Sequence, residues 1–361
     1  MSTPRKNSQK VSVVGGSVFS KVGGMQLAVR SMLEFLLEEG LLGQVFLRFD
    51  KPEDVPESFR SHVRCFSGNR ATFLLAVVWY RLMHRKLFWL CDHLNYAPLV
   101  AFVSPRRRFC VVAYAYELTL RVSRLRLWAL KRAGSVLCIS GYTKALCLRL
   151  GVSSERLEIC HLGVDLAVVP ASTSGSEQDE VLFVGRMDEA YKGQDHLIQA
   201  AAVISKKRPS LKINLVGGGN SLDHYRALAK KFGVEHCVNI PGYVSDEELD
   251  GLYRRASVFA MPSQCEGFGL VFVEAMARGI PCICSGEDAA QEVVLDGETG
   301  YCVPYGDIDS LVASLEAVFS DNEKSKVMGA RGRERYLDRF TRSAYKQRFT
   351  ALIDRVTLCA E

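Results

Sequence analysis

The sequence predicts two doubly wound α/β halves in tandem. Short runs rich in Val, Ile, Phe and Cys recur along the chain, and helix-length segments separate them. The alternation stops once, over residues 165–178, and then restarts. Strands that are apolar throughout, rather than alternating, belong to a parallel sheet covered on both faces. The 361 residues are too many for one ordinary core and suit two domains of roughly 150–200 residues each.

In the first half, 11–15 reads as a strand and 25–39 as a helix with Leu27, Leu33, Leu36 and Leu37 on one side. Residues 45–49, 87–91, 109–113, 135–139 and 157–161 read as further strands with mostly helical segments between them. Val169-Pro170-Ala171-Ser172-Thr173-Ser174-Gly175-Ser176 is small and polar, as linkers are. Beyond it, strands fall at 181–184, 212–216, 238–240, 258–261, 282–284 and 300–303. Helices fall near 193–206, 221–232, 246–255, 269–278 and 307–320, with the last helices over 323–358. The expected domains are 1–165, 166–340 and a C-terminal helix, 341–361, that packs back on the first. Ligands of such sheets bind beyond the carboxyl ends of the strands, which in a two-lobed chain points to the cleft between lobes.

Composition narrows the class. Hydrophobic content of 48% and charged content of 24% exclude a collagenous, low-complexity or broadly disordered chain. Of the 12 cysteines, Cys110, Cys138, Cys160, Cys282, Cys284 and Cys302 lie in apolar runs, and no Cys-x-x-Cys pair occurs. Reduced thiols in a cytoplasmic protein are the expectation, with no metal site. The first ten residues are polar and lack a signal-peptide core. The apolar stretch 73–80 is too short to span a bilayer. Residues 1–170 hold 24 basic and 12 acidic side chains, the remainder 22 and 28. The first half is therefore expected to meet something anionic: a lipid surface, a pyrophosphate-linked acceptor or nucleic acid.

The most informative stretch runs from Ser263 through Glu266-Gly267-Phe268-Gly269-Leu270 to Glu274 and Gly279. It follows a strand and enters a helix that ends at a glycine. Gly267 and Gly269 leave the turn bare, so the amides near Phe268 and Leu270 and the helix dipole form a pocket for a diphosphate. Glu266 and Glu274 are spaced to meet different parts of one ligand. An ordinary strand–loop–helix with two surface glutamates has the same spacing. Arg186, ending the strand 181–184, and Lys192, opening the next helix, supply cations for a pyrophosphate leaving group. Gly217-Gly218-Gly219 permits close backbone approach, and Tyr243-Val244 offers an aromatic and backbone contact for a base.

With these residues in hand, the sequence resembles the family-4 retaining glycosyltransferases of the GT-B fold. The matching residues are Val184-Gly185-Arg186, Lys192-Gly193, Gly217, Gly242-Tyr243 and Glu266-Gly267-Phe268-Gly269 with Glu274. In the first half they are Gly23-Gly24-Met25-Gln26, Ser140 to Lys144 and His161 to Asp165. The likeness is near-continuous from about 135 to 305 and looser from 41 to 108. It implies that Arg186 and Lys192 bind the diphosphate, Glu274 holds the ribose, and Glu266 holds donor-sugar hydroxyls. It further implies that the amides near Gly269 and Leu270, with Gly23 and Gly24, cradle phosphates. No metal or other cofactor is then required, and the donor is a UDP- or GDP-linked hexose. The acceptor is a glycan or lipid-linked molecule of cell-surface polysaccharide or glycolipid synthesis.

One departure is expected to matter. Where the family often has a histidine after the fourth strand, this chain has Val112-Ala113-Tyr114-Ala115-Tyr116-Glu117. Tyr114, Glu117 and His93 are the acceptor-side candidates. A non-catalytic nucleotide- or partner-binding module of the same fold is the alternative reading. No nucleic-acid reader motif is present. Arg81, Arg85, Lys86 and Arg106-Arg107-Arg108, beside apolar Trp-containing segments, predict a peripheral contact with the inner membrane leaflet.

Overall fold

A computed structural model describes residues 9–21, 23–84, 86–104, 108–119, 121–166, 179–188 and 190–358. The chain divides into two compact units. One gathers the residues up to Gly163 and those from Arg342 onward; the other spans Val164–Thr341.

The first unit carries strands β1 (Val11–Gly15), β2 (Leu42–Leu47), β3 (Val63–Cys65), β4 (Phe88–Cys91), β5 (Phe109–Ala113), β6 (Ser135–Cys138) and β7 (Leu157–Ile159). Its helices are α1 (Gly24–Glu38), α2 (Arg70–Met83), α3 (Ala97–Val103), α4 (Ala115–Thr119), α5 (Arg124–Arg132) and α6 (Gly141–Arg149). The sheet order is β3-β2-β1-β4-β5-β6-β7, every pairing parallel. All residues of β1, β4, β5 and β6 are buried, as their largely apolar character requires. The short strand β3 escapes the sequence pattern because Val63-Arg64-Cys65 is half-exposed and carries a charge at the sheet edge.

The second unit carries β8 (Glu180–Val184), β9 (Lys212–Val216), β10 (Val238–Gly242), β11 (Val258–Met261), β12 (Cys282–Ser285) and β13 (Gly300–Val303). Its helices are α7 (Gln194–Ile204), α8 (Leu222–Lys231), α9 (Asp246–Arg255), α10 (Leu270–Ala277), α11 (Ala290–Val293), α12 (Ile308–Ser320) and α13 (Asn322–Arg339). The order β10-β9-β8-β11-β12-β13 is again parallel throughout. In both sheets the strand order reverses beside the first strand, which is where doubly wound sheets bind ligands.

The last helices, expected over 323–358, are two. α13 stops at Arg339, and α14 (Arg342–Leu358) packs on α1 in the first unit. Tyr345 meets Phe35 edge-on with centroids 5.2 Å apart. Arg342 and Lys346 reach Glu34, Glu38 and Glu39 at 2.7–3.0 Å. These exposed pairs add little, so the aromatic burial carries the contact.

Arg81 corrects the expected basic face. It is 1% exposed and its Nη1 donates to the His84 carbonyl. It continues the buried stripe of α2 after Phe73 and Val77, at intervals of four residues. Arg85, Arg106 and Arg107 lie outside the described residues. Among the described residues no helix is long and apolar enough to cross a membrane.

In the second unit, α13 packs on α10 at small residues. A Cβ on Gly329 would lie 1.9 Å from the carbonyl oxygen of Gly279. Gly329→Ala should therefore destabilise the fold by about 1–3 kcal/mol or more through overpacking. Gly251→Ala, in the open interior of α9 where only Arg255 approaches, should instead stabilise by about 0.5–1 kcal/mol. Urea denaturation of both variants checks the opposite signs.

Candidate active site

The carboxyl edge of the second sheet collects the loops after β8, β9, β10, β11 and β12. Backbone hydrogen bonds lock them together. Met187 N–H donates to the Gly218 carbonyl, Gly217 N–H to that of Gly242, and Gln264 N–H to that of Tyr191. Gly217 has a φ of +138°, and a Cβ there would lie 1.9 Å from the Gly185 oxygen. Only glycine fits between those two loops. Beside this turn the Tyr243 side chain stands 83% exposed, while Val244 is half-buried.

Gly269, at φ +85°, opens α10 without a side-chain cap, leaving first-turn amides available for a ligand. Phe268 and Leu270 are buried. Lys192 Nζ lies 2.9 Å from Glu266 Oε2 in a largely buried ion pair. Burial pushes the Glu266 carboxyl up, but the Lys192 charge and hydrogen bond, with the Phe268 and Gly267 amides, outweigh it and hold the pKa low. Arg186 is exposed at the end of β8. Its carbonyl accepts from the buried Gln194 side chain at 3.0 Å. Glu274 Oε2 accepts from the Tyr253 hydroxyl at 3.0 Å. Burial raises the Glu274 pKa, against the Tyr253 hydrogen bond and the Arg278 charge.

Asp288, which motif reading missed, holds this loop. It is fully buried. It accepts from Ser263 Oγ at 2.7 Å, Glu266 N–H at 2.8 Å and Ala290 N–H at 2.9 Å. Burial drives its pKa to about 7, against those hydrogen bonds, and the Glu266 charge adds to the rise. Nothing in the sequence around it marks the role, because Glu266 and Ser263 lie 22 and 25 residues away.

In the first unit Gly23 and Gly24 begin α1, where Gly23 accepts from Leu27 N–H at 2.9 Å. The preceding loop is fixed by buried Asp50, which accepts from the amides of Val18, Phe19 and Ser20 at 2.6–2.8 Å. The acceptor-side candidates meet in one cluster. His93 Nδ1 lies 2.8 Å from Glu117 Oε2. The same carboxylate accepts from Leu94 and Tyr114 N–H, each at 3.1 Å. Tyr114 is buried, its ring stacked 6.2 Å from His93, and its hydroxyl has no hydrogen-bond partner among the described residues. It is therefore poorly placed to donate to a ligand. Burial lowers the His93 pKa, but the hydrogen bond and charge of Glu117 raise it further. Asp92, beside Gly16 N–H at 3.0 Å, is pushed to about 7 by burial, partly offset by that amide.

Residues 153–335, half of the sequence, match the family model of the glycosyl transferases group 1. The chain belongs to this family. It is 36% identical over 155 residues to a GDP-mannose-dependent alpha-(1-6)-phosphatidylinositol monomannoside mannosyltransferase of Mycolicibacterium smegmatis, covering 41% of this chain and 40% of that one. It is 34% identical over 197 residues to a D-inositol 3-phosphate glycosyltransferase of Kribbella flavida, covering 50% and 46%. The chain thus spans less than half the length of these curated relatives. Among solved structures, Anabaena HepE in complex with UDP superposes with a TM-score of 0.82 at 20% identity, covering 96% of this chain and all of that one. Sucrose-phosphate synthase from Thermosynechococcus elongatus superposes at 0.78 and 23% identity, covering 97% and 100%. The fold of this family member is GT-B. Among its described residues no three His, Cys, Asp or Glu side chains group to hold a metal ion.

Asp92 and Asp288 predict a pH dependence. Their folded pKa values near 7 exceed the unfolded value of roughly 4, so between these the folded chain binds protons that the unfolded chain does not. Their contribution to stability is fully present below about pH 4 and is lost as pH rises through about 7. Urea unfolding should therefore show a contribution that falls from pH 5 to pH 7.5, and Asp288→Asn should flatten it. A slope unchanged by that substitution would show Asp288 to be ionised throughout.

Proposed function

We propose that this family member is a retaining glycosyltransferase that moves a hexose from a UDP- or GDP-linked donor to a glycan or lipid-linked acceptor. The observation that carries the reading is the Lys192–Glu266 pair beside the uncapped start of α10. An ammonium, a helix N-terminus and an ionised carboxylate held together suit a sugar diphosphate, whose phosphates need positive charge and whose hydroxyls need acceptors. In this reading the exposed Arg186 and the largely buried Lys192 neutralise the leaving diphosphate in place of a metal. The amides at Gly269 and Leu270 take its oxygens. Glu266 accepts from sugar hydroxyls. Glu274, already accepting a hydroxyl from Tyr253, takes the ribose, and Tyr243 with Val244 meets the base.

The bond from the anomeric carbon to the phosphate oxygen breaks as the acceptor oxygen attacks the same face. The acceptor's proton passes to the departing phosphate oxygen. GDP-mannose in the name of the Mycolicibacterium relative and UDP in the Anabaena complex are the two donor types to compare.

Nucleotide release from a panel of UDP- and GDP-sugars tests the activity. Arg186→Ala and Lys192→Ala should each lower kcat/KM by roughly 100-fold. Glu274→Gln should weaken binding of the free nucleoside diphosphate, whereas Glu266→Gln should spare it and depress transfer. Nucleotide binding without release for any donor would favour a binding module instead.

The membrane reading rests on exposed side chains. Leu75, Trp79, Leu82 and Met83 form an outward stripe on α2, with Phe102 on α3 and Trp128 on α5 also exposed. Arginines and lysines flank these helices. Such a face suits the anionic inner leaflet, at about 1 kcal/mol per basic residue, and would keep the protein peripheral in the cytoplasm. In sedimentation with phosphatidylglycerol vesicles, binding should weaken with salt and drop on Trp79→Ser. Equal recovery with neutral phosphatidylcholine vesicles would contradict the reading.

A further inference from the structure

The first unit holds a cavity of about 620 Å³ near the carboxyl ends of β2 and β4. It has three cationic side chains from three elements: Arg48 after β2, Arg70 at the start of α2 and Arg126 in the first turn of α5. None of its lining residues is acidic. None of the three arginines pairs with a carboxylate among the described residues. The Arg48 guanidinium is steadied 4.6 Å over the Phe49 ring and by a hydrogen bond with Tyr96. Three unneutralised guanidinium groups around one space repel each other, and an anion bound among them relieves this.

The rest of the wall is apolar. Phe49, Phe73, Leu99, Phe102 and Leu125 line it. Phe102 is 69% exposed, and its ring lies 5.0 Å from that of Trp128, which carries the apolar surface outward from the cavity. A small free anion would leave this wall wetted. An uncharged chain would leave the guanidinium groups unmatched. The lining fits one molecule that has both parts.

We infer that this cavity binds the phosphate of a lipid-borne acceptor, with Arg48, Arg70 and Arg126 on the anion and Phe49, Phe102 and Leu125 along the first carbons of the chain. The inference rests on the transferase reading above and assigns its acceptor class. His93 lies close enough to Arg126 to feel its charge, so a head group attached to the bound phosphate would be held near the His93–Glu117 pair. Residues 41–108, where the family likeness is weakest, supply most of the lining.

Calorimetry on the full chain tests this with decyl phosphate below its micelle concentration, inorganic phosphate, decyl maltoside, UDP and GDP. Decyl phosphate should bind, and at least 10-fold more tightly than inorganic phosphate or decyl maltoside. The exposed-site double variant Arg70→Ser/Arg126→Ser should weaken it at least 10-fold while nucleotide affinity is unchanged. Phe102→Ser should weaken decyl phosphate but not inorganic phosphate. Equal affinity for inorganic phosphate would overturn the lipid assignment in favour of a free-anion site. Equal affinity for decyl maltoside would overturn the role of the arginines. Failure of decyl phosphate to bind while a nucleotide still binds would sink the cavity proposal alone. The reverse pattern would sink the donor reading alone.

Discussion

A parallel strand delivers its carboxyl end to the same edge of the sheet as each of its neighbours. In both units every strand pairing is parallel. That constraint makes the loops after β8, β9, β10, β11 and β12 neighbours, although they span about a hundred residues of sequence. Such a sheet can form only if both its faces are covered by helices. The apolar strands and the helical crossovers are therefore one requirement seen twice. The site is what remains at the edge after that burial is satisfied.

At this edge two carboxylates on neighbouring, hydrogen-bonded loops are driven in opposite directions. Glu266 lies beside Lys192 and stays ionised. Asp288 accepts three hydrogen bonds but no cation, and burial raises it. The Glu266 charge pushes Asp288 further up, so ionising the first favours protonating the second. Asp288 thus fixes the Glu266 backbone without adding a second full negative charge where a diphosphate would have to bind. The Lys192–Glu266 pair in turn keeps a cation poised at the start of α10 without leaving it unpaired in a mostly buried place.

The first unit follows the same logic with different residues. Asp50 and Glu117 use their carboxylates to order backbone amides. The arginines near the sheet edge are left without carboxylate partners.

Apolar runs and their spacing were enough to give the doubly wound class, because a buried strand must be apolar along its whole length. The glycines and glutamates of 263–274 were legible for a similar reason: a bare turn, a helix start and two acids at fixed spacing are local features. The edge strand β3 was not legible, since half-exposed strands need no continuous apolar run. Arg81 read as a surface cation until the α2 stripe placed it inside. Tyr114 stood only as an acceptor-side candidate, and that its side chain is buried shows only in the fold. Asp288, and the cavity framed by Arg48, Arg70 and Arg126, depend on residues brought together only by folding. By itself the sequence determined which segments must be buried and which turns are bare. Tertiary structure decided which charges meet, because charge pairing depends on distance in space and leaves no period in the chain.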